Sequence, residues 1–239
     1  MRSKGAQLAL LYAPFEASRR DQVLQATFGA DTDGVTTHQC DVTSELSVKE
    51  AFNQISADAK AFPSILVNAA GFVSVQPLEE TTAQDALNNF LPNLLGPFNL
   101  SNAFFHLYQS RRSKLGSDGS APPGRIVSIS SQASHVALDG HGPYCASKAG
   151  LNGLTRCMAN EWGRKGITAN TVSPTVTLTA MGDKAWADDA IREAHMAQIP
   201  SGRFAVPEEI AAAIEFLCRD DSGMINGTDV RVDGGYTIR

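Results

Sequence analysis

Gly124-Arg-Ile-Val-Ser-Ile-Ser-Ser131 is followed, after twelve residues, by Tyr144-Cys-Ala-Ser-Lys-Ala-Gly150. The first run is β-branched and of strand length, and the second opens a pattern of helical period that continues to Arg164. The same alternation recurs in both directions along the chain. Strands are predicted near residues 7–12, 36–40, 65–68, 125–129, 168–172 and 229–232, and helices over 18–27, 45–61, 83–111, 144–164 and 207–219. Parallel strands need long crossovers, so strands alternating with helices predict an α/β fold: a doubly wound parallel sheet flanked by helices. Pro207 followed by Glu208 and Glu209 is a favourable helix start, by its fixed φ and by the helix dipole. The Gly/Ser/Pro-rich stretch 110–124 reads as a surface loop too short to separate domains, so one domain over 1–239 is expected.

Composition removes several classes of function. With 239 residues and 43% hydrophobic content the chain can bury a core. The net charge of -5 and the scattered Arg and Lys leave no basic stripe, which argues against nucleic acid as a partner. The longest apolar runs are strand-length, far below the ~20 residues of a membrane span, and no signal peptide is visible. Cys40, Cys145, Cys157 and Cys218 form no C-x-x-C pair. His38, His106, His135, His141 and His195 are dispersed and receive no role, so neither a metal nor a disulfide framework is expected and a reducing, cytoplasmic setting is the simplest reading.

Ser131, Tyr144 and Lys148 together supply a hydroxyl, a phenol and an ammonium. A Tyr with its reference pKa of ~10 is a poor acid or base near neutrality unless a neighbouring cation favours its phenolate. Lys148, four residues on, projects from the same helical face, and Ser131 at the end of a strand can polarise a substrate oxygen. This set suits interconversion of a carbonyl and an alcohol. Farther upstream, Pro97 has no N–H to offer the carbonyl four residues earlier, which is that of Asn93, so a kink or a free carbonyl is expected there.

These motifs, in order, resemble the short-chain dehydrogenase/reductase family, and the resemblance runs from about Gly5 onward. It implies catalytic roles for Ser131, Tyr144 and Lys148 and adds Asn93 as the holder of a water in a proton relay. Asn68-Ala-Ala-Gly71 resembles the family's N-A-G turn, implying cofactor contacts at Asn68, Ala70 and Gly71. Asp41 and Val42 resemble its adenine-side contact. Asn170 to Pro174, with Thr177 and Thr179, resembles its nicotinamide-side loop, and Asp233-Gly-Gly235 its C-terminal signature. Tyr12 stands where an acidic residue would select NAD, and Ser18, Arg19 and Arg20 follow, so NADP(H) is favoured and NAD(H) is possible. Thr175 after Pro174 is similar to the branch of L-xylulose (dicarbonyl) reductases and polyol dehydrogenases, which implies a small carbonyl or alcohol substrate. A homodimer or homotetramer built on the helices over 83–111 and 144–164 is implied too.

Family members open with a strand and a T-G-x-x-x-G-x-G turn that Met1-Arg-Ser-Lys-Gly-Ala does not resemble. The first strand and helix are therefore expected to be missing, leaving the strands near 7–12 and 65–68 each with an unpaired edge. Three readings stay open: a working reductase, a non-catalytic homologue that acts as an oligomer partner, or a rearranged sheet.

Overall fold

The computed structural model describes residues 5–58, 62–115, 121–178 and 188–238. In chain order the elements are β1 (Leu8–Tyr12), α1 (Arg20–Phe28), β2 (Val35–Gln39), α2 (Glu45–Asp58), β3 (Ile65–Asn68), α3 (Ala83–Phe90) and α4 (Gly96–Lys114). They continue with β4 (Gly124–Ile129), α5 (Gly142–Trp162), β5 (Ile167–Pro174), α6 (Asp189–Met196), α7 (Pro207–Cys218) and β6 (Asp229–Val232). All six expected strands form. The chain divides into two compact units, Met1–Ser64 with Leu95–Pro122, and Ile65–Leu94 with Pro123–Arg239.

In the first unit β1 and β2 pair in parallel, from Leu8 opposite Val35 to Tyr12 opposite Gln39. Val48, Ala51 and Phe52 of α2 and Leu100, Phe104 and Tyr108 of α4 are buried. Tyr108 meets the ring of Phe62 edge-on at 5.4 Å and donates its hydroxyl to the Pro122 carbonyl at 3.0 Å, so its polar tip is satisfied inside the core.

The second unit holds a four-stranded parallel sheet in the order β3-β4-β5-β6. Its two central strands are covered on both faces, which explains why β4 and β5 are buried along their length instead of alternating. Among the described residues β1 pairs only with β2, and β3 only with β4.

The helix expected over 83–111 is not continuous. A π-helical turn, Leu91–Leu95, separates α3 from α4. Pro97, in the first turn of α4, has no N–H to give the Asn93 carbonyl, and the wider turn is the local response to that missing ladder bond. α6 was not expected at all.

Arg125 is a buried cation on β4 that donates to the carbonyls of Arg219 at 3.3 Å, Asp220 at 3.4 Å and Gly124 at 3.2 Å. The first two lie just past the end of α7, where the helix dipole favours positive charge. Arg125→Ala is expected to lower unfolding stability by roughly 2–4 kcal/mol, because three carbonyls lose a charged donor and the buried side chain leaves a cavity; a shift of the urea midpoint measures it.

Candidate active site

β4 ends at Ile129, and Ser131 then caps a three-residue 3-10 turn, Gln132–Ser134. The buried Ser131 accepts the Ala133 N–H at its Oγ (3.1 Å), and its carbonyl accepts the Ser134 hydroxyl at 2.7 Å. α5 begins two residues before Tyr144, with Pro143 in its first turn. One turn along, Lys148 Nζ lies 5.7 Å from the Tyr144 ring centre and donates to the Ile129 carbonyl at 2.8 Å. The structure thus brings Ser131, Tyr144 and Lys148 together where β4 meets α5.

Electrostatics differ from the simplest expectation. Burial, not the cation, dominates the phenol: it pushes the Tyr144 pKa up, and a hydrogen bond with Ser131 pulls it part of the way back. Burial lowers the Lys148 pKa from 10.5 to about 8.

Asn93 lies in the π turn and is wholly buried. Its Oδ1 accepts the Phe72 N–H at 2.8 Å, while Nδ2 donates to the Phe72 carbonyl at 2.8 Å and to Ser147 Oγ at 3.0 Å. Ser147 in turn donates to the Tyr144 carbonyl at 2.7 Å, so Asn93 joins the segment after β3 to α5. Gly71 sits in this segment, and a Cβ there would lie 3.3 Å from Asn93 Oδ1 and 3.6 Å from Lys148 Nζ. Asn68 is buried at the end of β3, donating to Ser128 Oγ at 2.9 Å, whereas Ala70 and Gly71 are exposed.

Pro174 ends β5, and Thr177 makes a bridge with Ala205. Thr179 lies outside the described residues. Asp41 and Val42 belong to the first unit, where Asp41 Oδ1 accepts the Thr43 N–H and hydroxyl at 2.9 and 2.7 Å, and the Val42 carbonyl accepts Asn99 Nδ2 at 3.0 Å.

Two histidines that received no role from the sequence border the site. The His141 ring meets the Tyr144 ring at 6.3 Å, and His195 stacks on Tyr236 at 5.2 Å and lies 5.9 Å from Phe204. Burial lowers the His195 pKa, and His141 adds to that. His141, three residues before Tyr144, was open to notice; His195 is brought in only by tertiary folding. Among the described residues no cluster of His, Cys, Asp or Glu is arranged to hold a metal, and no helix is long and apolar enough to cross a membrane.

A family model described as enoyl-(acyl carrier protein) reductase matches residues 1–237. The chain is 41% identical over 237 residues to D-threitol dehydrogenase of Mycolicibacterium smegmatis, a match that covers 99% of this chain and 85% of the other. The chain belongs to the short-chain dehydrogenase/reductase family. This short-chain dehydrogenase/reductase is also 36% identical over 203 residues to the NAD-dependent glycerol dehydrogenase of Listeria innocua, covering 84% of this chain and 74% of that one. A solved gluconate 5-dehydrogenase from Burkholderia cenocepacia, in complex with NADP and tartrate, superposes with a TM-score of 0.86 at 28% identity over 99% of this chain and 88% of that one. The protein is an oxidoreductase of the NAD(P)-dependent kind with a Rossmann-like α/β fold.

The residues present fit such a dinucleotide. The exposed Gly71 has no side chain where Asn93 and Lys148 approach its backbone closely, and Ala70 beside it is exposed. Two buried polar atoms, Gln132 Oε1 on the Ser131 turn and Thr175 Oγ1 after β5, have no hydrogen-bond partner among the described residues.

Proposed function

We propose that the protein interconverts a secondary alcohol and a ketone on a small polyol or sugar, using NADP(H) in preference to NAD(H). The observation that carries the chemistry is the convergence of Ser131, at the end of β4, with Tyr144 and the buried Lys148 one turn apart on α5. When bound, the nicotinamide accepts or delivers the hydride. Tyr144 takes the alcohol proton in oxidation and returns it in reduction. Ser131 holds the substrate oxygen on which charge develops. Lys148 keeps a cation next to the phenol and has N–H groups beyond the one given to Ile129 for a ribose hydroxyl. Asn93 positions Phe72 and Ser147 around these groups and, through its backbone carbonyl, holds a water that passes protons to Lys148. Asn68, Ala70, Gly71, Pro174, Thr177 and Thr179, with Tyr144 and Lys148, form the nicotinamide side, and Asp41 and Val42 the adenine side. In this reading residues 1–239 are a single catalytic domain.

The preference for NADP(H) rests on the end of β1. There the Arg20 guanidinium lies 5.9 Å from the Tyr12 ring, and no carboxylate from β1 itself is present to repel a 2′-phosphate. Asp21, 2.8 Å from Arg20, competes for that cation, and Arg19 is exposed beside it. The polyol reading is supported by the relatives: one is a D-threitol dehydrogenase and another a glycerol dehydrogenase. A homodimer or homotetramer and a reducing, cytoplasmic setting complete the proposal, the latter resting on four free cysteines.

Titrating NADPH and NADH into the chain tests this. NADPH is expected to bind about tenfold more tightly, as one charge-assisted contact provides, and C4 to C6 polyols are expected to be oxidised with NADP+. Tighter NADH binding would reverse the cofactor assignment, and absence of polyol or ketose turnover with either nucleotide would reject the substrate class.

A further inference from the structure

His135 closes the short turn that Ser131 opens, and its own N–H is bonded to the Gln132 carbonyl at 3.0 Å. Its Nε2 lies 2.7 Å from Asp229 Oδ2 on β6. That carboxylate is itself held, because Oδ1 accepts the hydroxyls of Thr171 at 2.6 Å and Ser173 at 2.7 Å, both buried on β5. On the opposite side the turn is tied to α5, where Asn152 Nδ2 donates to Ser134 Oγ at 3.0 Å and Ser134 donates to the Ser131 carbonyl. The three-residue turn that aims the Ser131 hydroxyl is therefore fixed from the helix at one point and from the sheet at another.

We propose that His135 is a positioning residue, whose bond to Asp229 sets the placement of the Ser131 hydroxyl against the Tyr144 phenol. Imidazole suits this task. With a carboxylate facing it, Nε2 is the donor of the pair. The two rings have separate surroundings. His135 faces Asp229 from β6, whose other oxygen is held by hydroxyls from β5, and Arg231, farther along β6, is turned to Thr237 at 3.2 Å. Tyr144 faces Lys148 and Cys145 from its own helix, His141 from the loop before it, and Ser131.

The consequence is measurable at Tyr144, since the Ser131 hydrogen bond favours the phenolate. Loosening that bond raises the phenol pKa. Tyrosinate absorbance is titrated in the full chain, and the Tyr144→Phe background is subtracted; Ser131→Ala sets the largest shift. His135→Ala is expected to raise the Tyr144 midpoint by about 0.5 pH unit, and His135→Gln, whose amide N–H reaches Asp229, to restore it. If His135→Ala does not fold, His135→Phe keeps the ring volume without a donor and is expected to give the same shift. In turnover, His135→Ala is expected to lower kcat about fivefold with the KM for the dinucleotide unchanged.

The assignment to catalysis rests on the proposed function, but the absorbance titration does not need turnover. An inactive chain that still shows the shift would defeat the reaction and leave the positioning role standing. A midpoint that moves with Ser131→Ala but not with the donor-less His135 variant would overturn that role, as would failure of His135→Gln to restore it.

Discussion

Tyr144→Phe is expected to reduce turnover by roughly 10²–10⁴-fold, the range spanned by a positioned general acid or base, while leaving dinucleotide affinity within about twofold. Only one oxygen is removed. The ring keeps its contact with His141 and its place one turn before Lys148, so packing at the start of α5 is preserved. The phenol is half-buried, and burial holds its pKa above 10, so in the alcohol-oxidising direction the basic form becomes more abundant as pH rises. Oxidation should therefore climb with pH in the wild type, and this climb should be absent from the residual rate of Tyr144→Phe. A variant that keeps wild-type kcat would remove Tyr144 from the chemistry.

Lys148→Met is expected to give an inactive protein that is more stable than its parent at neutral pH. The folded pKa of Lys148 is about 8 against 10.5 in an exposed chain, so the native state disfavours the proton that Lys148 carries at pH 7. A lysine pKa lowered by folding means that the unfolded chain binds more protons between those two values, and stability rises with pH across that window. Below about pH 8 the full penalty applies, on the order of 3 kcal/mol, and above pH 10.5 it is gone. Methionine removes the penalty but leaves the Ile129 carbonyl without its donor, at ~1 kcal/mol. The net gain near pH 7 is thus about 1–3 kcal/mol, shrinking to nothing or reversing above pH 10.5. Urea unfolding of both proteins at pH 7 and pH 10.5 tests this. A variant less stable than the parent at pH 7 would contradict it.

The strands were legible because β4 and β5 are buried on both faces, leaving short runs of strand length rich in Ile, Val and Thr. The helix from 83 to 111 showed Pro97 but not its outcome. The absent N–H of Pro97 announces a disturbed ladder, yet whether the chain kinks or widens to a π turn depends on what Asn93 finds in space, here Phe72 and Ser147. α6 escaped because its eight residues are few for a periodicity argument; Asp188, whose carboxylate caps the N–H groups of Ala190 and Ile191, was its one local signal.

Within the site, Tyr144 and Lys148 were visible because helical spacing places them together. Their pKa shifts were not visible, since these depend on how much protein covers each group. Asp229 meets His135 only because β6 lies beside β5, and adjacency of strands distant in sequence is set by topology.

The side chain of Asn93 is in effect a peptide group presented from a helix. It offers one carbonyl and one N–H to the N–H and carbonyl of Phe72, the exchange by which two residues of neighbouring strands pair. The backbone beyond β3 is thereby held as though the sheet ran further than its last strand residue, with a helical side chain as the missing partner. An aspartate of the same length would set two acceptors before Phe72 and turn one of its two attractions into a repulsion. Asparagine at this position therefore answers to the geometry of the main chain as well as to proton movement.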